Sequence, residues 1–286
     1  MKKILIIPLL ILAMNCNSSK SSDSKSNALT AYALLKASDS YSSSCTSSFG
    51  TGVADFIAKT FSCVTVTVSG TNYVFSTKSV PTYKSYYWGS TSSGYESSLY
   101  STSNYGNPNK ILAQSYTITV PITNTTTTAP AAAMGAIGLA TNGIVFYNDV
   151  AGPGDSLSTE YYTFDSSQAH PTSTGSYHYH VEPVKLTLSD SALVGIAMDG
   201  YLVFGKLHDT ATSNTSSFSL AATGSTTKCT STPTTLPSTW AYKSNYETYT
   251  SHTAGSNSYH YHINNASGLY GIILSTNLIG TAGTSK

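Results

Sequence analysis

Six of the seven histidines fall into two copies of one spacing. His170, His178 and His180 form H-x7-H-x-H, and His252, His260 and His262 repeat it. Each copy closes on the same four letters, Tyr177-His178-Tyr179-His180 and Tyr259-His260-Tyr261-His262. Imidazole is the commonest protein ligand for metals. Three neutral imidazoles with an open fourth position suit Zn²⁺, and the same donors suit Cu(II). The matched triads therefore point to metal binding, with copper or zinc as the expected ion. The competing explanation is structural, with two His/Tyr hydrogen-bond networks locking duplicated hairpins.

Tyr-His-Tyr-His alternates with the period of a strand. His178 and His180 then share one face, roughly 6.5 Å apart along the chain, and Tyr177 and Tyr179 share the other. The third histidine of each set is expected from the loop ahead of the strand, with Gly175 and Gly255 allowing the chain to turn back. Asp165 and Glu182 flank the first set and could orient its imidazoles, as Glu247 could for the second; solvated surface positions are the alternative for all three. Asn142 and Asp199 each precede a glycine in matching strand–turn–strand units, and they are read as turn formers that support the site. His208 lies outside both sets and is read as a surface residue. The two sets are expected close together. His178, His180, His260 and His262 would line one pocket, holding a shared ion or a pair of order 4 Å apart.

The elements around them read mostly as strands. Phe61–Val68 and Tyr73–Thr77 alternate about a Ser69-Gly70-Thr71-Asn72 turn, and Ser115–Ile122 alternates again. Gly135–Ala140 with Ile144–Asn148, and Leu193–Met198 with Tyr201–Gly205, flank the Asn-Gly and Asp-Gly turns. Leu269–Leu274 is a last apolar strand. Helix-like stretches are confined to Ala28–Ala37 and Gly52–Phe61. Residues 83–109 are an aromatic loop, which could stack on a sugar or peptide or, more commonly, close the core. The expected fold is mostly β: a sandwich or irregular barrel of short strands with long loops and a minor N-terminal helix.

Composition narrows the setting. Charged residues make up 9% of the 286, against about 25% in typical soluble domains. The net charge is +1, and no Lys/Arg run exists, so no nucleic-acid footprint is present. Lys2 and Lys3 precede an apolar run, Ile4–Ala13, too short to span a bilayer as a helix. It leads into Ala13-Met14-Asn15-Cys16 and a polar stretch to about residue 27. This resembles a bacterial lipoprotein signal, in which Cys16 is acylated, although Ala13 and Asn15 replace the usual Leu and small residue. The implied location is the bacterial cell envelope, outside the cytoplasm, with the membrane as partner through a lipid anchor at the outer membrane or cell surface. The organisation expected is a signal peptide over 1–16, a Ser-rich tether and N-terminal segment over 17–45, and one β domain over 46–286. Cys45 and Cys63 suit a disulfide in an exported chain, leaving Cys229 over.

The motifs resemble the bacterial YHYH-domain proteins across roughly residues 78–275. Residues 135–148, Phe164-Asp165 to His170-Pro171, 175–183 from Gly175 to Pro183, and 193–205 carry the resemblance. Ala169 and Ser251 depart from a glycine before the first histidine of each set. Ser79-Val80-Pro81-Thr82-Tyr83 lacks a histidine that the family often has upstream. The resemblance implies a fold and a site, and no particular reaction. Three functions stay open at this point. The first is an exported, anchored protein that binds Cu or Zn without turnover. The second is a metal-dependent enzyme, either dicopper oxidase-like or a zinc hydrolase. The third is an adhesin-like binding module with structural His/Tyr hairpins. A small-molecule or protein partner is not specified by any of these residues.

Overall fold

The computed structural model describes residues 41–99, 105–123, 134–150, 152, 157–186, 193–205, 261–263, 273, 278 and 281–286. The fold is mostly β, in two sheets that share one core.

The smaller sheet is built where alternation is clearest. Strand β2 (Val64–Ser69) buries Val64 and Val66 and exposes Thr65 and Thr67. It turns at Gly70, with φ +59°, into β3 (Asn72–Thr77). Strand β4 (Tyr116–Pro121) pairs antiparallel with β3, and β1 (Ser48–Phe49) joins the other edge in parallel. A single helical turn and a half, α1 (Asp55–Thr60), lies between β1 and β2 and buries Phe56 and Ile57. Cys45 and Cys63 are disulfide-bonded, with Cα atoms 5.1 Å apart, and Tyr41 packs edge-on against buried Trp88. Within the aromatic loop, Tyr87 and Trp88 are fully buried, so these two rings close the core.

The larger sheet positions the histidines. Its strands are β5 (Ala136–Ala140), β6 (Val145–Tyr147), β7 (Ala169–Pro171), β8 (Tyr177–Tyr179), β9 (Leu193–Ala197), β10 (Leu202–Phe204) and β11 (Tyr261–His262). Their order is β11-β10-β9-β5-β6-β8-β7. β5 and β9 are buried along their whole length, which is why both read as unbroken apolar runs. Asn142-Gly143 and Asp199-Gly200 close the β5–β6 and β9–β10 hairpins, with Gly143 at φ +81° and Gly200 at φ +86°. A short helix, α2 (Leu157–Glu160), and a 3₁₀ turn over Tyr161–Thr163 lead into β7.

The strand arrangement bears on the expected closeness of the two histidine sets. β8 and β11, which carry the two Tyr-His motifs, are not neighbours: β6, β5, β9 and β10 lie between them. The reason is topological, because each motif strand adds to the outer edge of its own hairpin rather than to the other motif strand. The segments Ala28–Ala37 and Leu269–Leu274, read above as helix and strand, lie outside the described residues apart from Ile273.

Candidate metal centre

His170 enters on a strand, not from a loop. It sits in β7 and pairs directly with His178 across an antiparallel ladder. The H-x7-H spacing is thus the signature of a hairpin register: two histidines opposite one another, joined by a turn at Gly175, φ +81°. The H-x-H part is strand alternation. His178 and His180 lie on one face, while the hydroxyls of Tyr177 and Tyr179 both reach Tyr83 on the other, at 3.3 and 2.5 Å.

The three rings converge. Their centroids are 4.7 Å apart for His170–His178 and His178–His180, and 5.5 Å for His170–His180. One ligand atom from each lies within 4.8 Å of the others. All three residues are at most 5% exposed.

Hydrogen bonds settle which nitrogen each ring offers. His178 donates from Nδ1 to the Ser176 carbonyl at 2.9 Å, and His180 from Nδ1 to the Asn148 carbonyl at 2.5 Å. A carbonyl only accepts, so both Nδ1 atoms carry the proton. The Thr163 hydroxyl donates to the Glu160 carbonyl at 2.7 Å, which leaves its oxygen to accept from His170 Nδ1 at 2.6 Å. In the neutral rings all three Nε2 atoms are then bare lone pairs. Burial makes the rings neutral: it pushes His170 and His178 well below the ordinary value, neighbouring imidazoles adding to the effect, and brings His180 down to about 4.

The consequence is an electrostatic conflict. His178 Nε2 and His180 Nε2 stand 3.0 Å apart with no proton between them. Two lone pairs aimed at each other in a dry interior repel, and a cation accepting both removes the conflict. Nitrogens held by about 2.0–2.1 Å bonds to one tetrahedral ion lie about 3.3 Å apart. The residues therefore fit a metal ion, with Nδ1–H groups anchored as they are around most metal-bound imidazoles.

Aromatic rings enclose the cluster. Tyr147 stacks on His178 with centroids 3.9 Å apart, and Phe164 meets His170 edge-on at 4.9 Å. Parallel pairing of β6 with β8 places Tyr147 there, since Val145 and Phe146 face His178 and Tyr179.

The carboxylates fall elsewhere than expected. Asp165 is fully buried but does not orient an imidazole. Its oxygens accept from Tyr177 OH at 2.6 Å, from the Ser85 hydroxyl, and from the Ser167 and Ala169 amides at 2.8 and 3.3 Å. Desolvation pushes its pKa up, against those hydrogen bonds. It holds the tyrosine face of β8, because backbone groups and a threonine already occupy every Nδ1. Glu182 is buried two residues past His180. Glu160 supplies what sequence missed: its Oε2 lies 3.5 Å from His170 Nδ1 and 3.4 Å from Thr163 Oγ1. Thr163, seven residues before His170, and the Ser176 and Asn148 carbonyls were equally unmarked. Backbone acceptors have no residue-type signal, so only the fold reveals them.

Asn142 donates to Tyr179 OH at 3.0 Å, and Asp199 accepts from Tyr261 OH at 2.5 Å. Both turn residues thus hold the last tyrosine of a motif. His252, His260, Glu247, His208, Cys229 and Cys16 lie outside the described residues; His262 is described in its backbone only.

A buried three-imidazole cluster on a strand hairpin, in a two-sheet β protein, defines the class. The family model described as "YHYH protein" matches residues 115–253, which take in the whole first triad and end before His260. The chain is a YHYH-domain protein. No curated protein and no solved structure matches it.

Proposed function

We propose that this protein binds a divalent transition-metal ion through His170, His178 and His180, holding it without turnover. The observation that carries this reading is the 3.0 Å approach of the His178 and His180 Nε2 atoms in a buried site, with the Nδ1 of each ring on a backbone carbonyl. The expected ion is copper or zinc, since neutral imidazoles suit both. When bound, the ion would supply a positive charge that the three lone pairs share. The chain's own contribution is to fix the rings: Ser176, Asn148 and Thr163 set the tautomers, and Tyr147 and Phe164 exclude water. Three imidazoles leave a fourth position open, and what favours holding over turnover is the burial of all three rings beneath Tyr147 and Phe164.

The setting proposed is the cell envelope, with export directed by residues 1–16 and lipid anchoring at Cys16. The low charge of the chain and the Cys45–Cys63 disulfide support an oxidising compartment. Metal analysis of the purified protein after dialysis against Zn²⁺ or Cu²⁺, beside a His178→Ala/His180→Ala variant, tests the binding. About one ion lost per chain in the variant is the expected result. Equal metal content in both proteins would refute the assignment. Globomycin treatment, or Cys16→Ala, tests the anchor: release from the membrane fraction is expected, and unchanged fractionation would exclude it.

A further inference from the structure

An ion from solution has to pass the side chains that cover the triad. Among the described residues that bond or stack on the three rings, Phe164, Thr163, Ser176 and Asn148 are buried, while Tyr147 and Glu160 reach solvent. The Glu160 side leads to the wrong nitrogen. Its Oε2 lies 3.5 Å from His170 Nδ1, and Thr163 Oγ1 stands 2.6 Å from the same atom. A cation arriving there meets an N–H hydrogen instead of a lone pair. Phe164 packs with Leu157 and Val181 in a small apolar cluster, and moving it would open that cluster to water.

Tyr147 remains. Its ring stacks on His178 at 3.9 Å and meets His180 edge-on at 5.9 Å. It therefore covers the two imidazoles whose Nε2 atoms face each other at 3.0 Å. Tyr147 ends β6, and the pairing of β6 with β8 stops one residue earlier, at Phe146↔Tyr179. Its backbone pairs with Ala136 of β5, so the ring can swing by side-chain rotation without breaking the sheet.

Three hydroxyls hold that ring in place. Tyr147 OH and Tyr116 OH are 2.9 Å apart, Tyr116 OH lies 2.8 Å from Ser176 Oγ, and Tyr147 OH donates to Ser176 Oγ at 3.5 Å. Tyr116 belongs to β4 of the smaller sheet. It is half-buried and lines an open groove of about 570 Å³ together with Lys78, Gln114 and Thr117. Ser176 is buried, and its carbonyl anchors His178 Nδ1 at 2.9 Å. The outer end of the hydroxyl cluster thus touches the groove, and its inner end touches a ligand ring.

We propose that Tyr147 is the gate through which the metal ion enters and leaves the triad, and that Tyr116 is the latch that keeps it shut. This rests on the metal reading above and adds to it the control of exchange. Tyr116 reaches no imidazole, so it acts through Tyr147 as a positioning residue. A latch raises the barrier to passage in both directions. It changes the rates of binding and release by one factor and leaves their ratio, the affinity, where it was.

The test uses the full chain loaded with Zn²⁺ and mixed with excess chromogenic chelator, which reads release, beside isothermal titration, which reads the affinity. Release from the unmodified protein should not depend on chelator concentration, because opening limits it. A rate that climbs in proportion to chelator would mean that the ion is reached with the gate in place, and would overturn the proposal. Tyr116→Phe removes the latch hydroxyl and keeps the ring. Release should quicken by about fivefold, the scale of one hydrogen bond between neutral groups, with the dissociation constant within about twofold, well inside that change. Faster release matched by an equal loss of affinity would make Tyr116 a support of the bound ion, and unchanged release would leave the latch without effect; either result overturns the proposal. Tyr147→Phe gives an independent readout should Tyr116→Phe fold poorly: release should quicken at least as much, and adding Tyr116→Phe to it should bring no further gain. A further gain in the double variant would show that the two hydroxyls do not act as one latch. Zinc binding with any of these contrary rates leaves the metal reading intact, whereas no bound zinc in the unmodified protein removes that reading and the gate with it.

Discussion

His178 and His180 direct two Nε2 lone pairs at each other across 3.0 Å, and each ring is committed to that tautomer by a carbonyl behind it. Only two changes relieve the repulsion: protonation of a ring or arrival of a cation. The interior disfavours the first, since burial lowers both imidazole pKa values. The second should therefore stabilise the fold as well as fill the site.

Metal addition should raise the thermal midpoint of chelator-treated protein. A ligand present at a hundred times its dissociation constant contributes about 2.7 kcal/mol. The His178→Ala/His180→Ala variant should show no such rise. Differential scanning calorimetry with Zn²⁺ or EDTA makes the comparison, and an equal shift in both proteins would place the binding elsewhere.

Metal-free protein should lose stability as pH falls below about 6.5. In the unfolded chain each histidine takes up a proton near that value. In the folded chain the three buried rings stay neutral, His180 until about pH 4. The unfolded state thus binds more protons across that window, and acid favours it. At about 1.4 kcal/mol per pH unit, His180 alone contributes about 3 kcal/mol. Asp165 opposes the trend: its raised pKa contributes stability at low pH that is lost as pH rises through it. Urea titrations in EDTA at pH 7 and pH 5 read the sum. Three histidines against one carboxyl should make the pH 5 midpoint lower, and an unchanged or higher midpoint would contradict the neutral-ring picture.

Much of this architecture is legible in the sequence. Val64–Val68 and Tyr73–Thr77 alternate, and the structure pairs them. Asn142-Gly143 and Asp199-Gly200 mark hairpins because only a turn wants glycine with positive φ after a short polar residue. The face shared by His178 and His180 follows from strand period alone. Long-range order is what stays hidden. Nothing in Tyr177–His180 or in Tyr261 and His262 reveals that β8 and β11 each add to the edge of a different hairpin. The place of His170 in a strand is concealed because β7 is only three residues long, Ala169–Pro171. Asp165 misleads for a related reason: five residues before His170 it can serve either face of β8, and the fold turns it to Tyr177.

Thr163→Val should weaken metal binding while leaving the ligands in place. The hydroxyl is the acceptor that holds His170 in its Nδ1–H tautomer. Valine keeps the shape and removes that acceptor, so the ring can flip or change tautomer. Loss of such an anchoring partner lowers metal affinity by about 10–100-fold. Isothermal titration with Zn²⁺ reads the change, and calorimetric unfolding of the metal-free variant shows that the fold persists. Full affinity in Thr163→Val would mean that Glu160, 3.5 Å from the same nitrogen, suffices by itself.

Asp165→Ala should damage the fold more than the metal affinity of whatever folds. Its carboxylate accepts from two hydroxyls and two amides, all in a region without water access. Removing it leaves Tyr177, Ser85 and two backbone N–H groups unsatisfied at once. Each orphaned buried donor costs about 1–3 kcal/mol, and the alanine also leaves a cavity. The loss should exceed about 3 kcal/mol in chemical unfolding. Asp165→Asn keeps the shape and one acceptor oxygen, so it should retain part of the stability. Asp165 makes no hydrogen bond to an imidazole, and its link to the histidine face runs through the backbone of Ala169 in β7 and of β8. A folded Asp165→Asn protein should therefore bind Zn²⁺ within about threefold of the original, a margin far inside the loss from removing an anchoring partner. A drop as large as that of Thr163→Val would show instead that Asp165 governs the imidazoles.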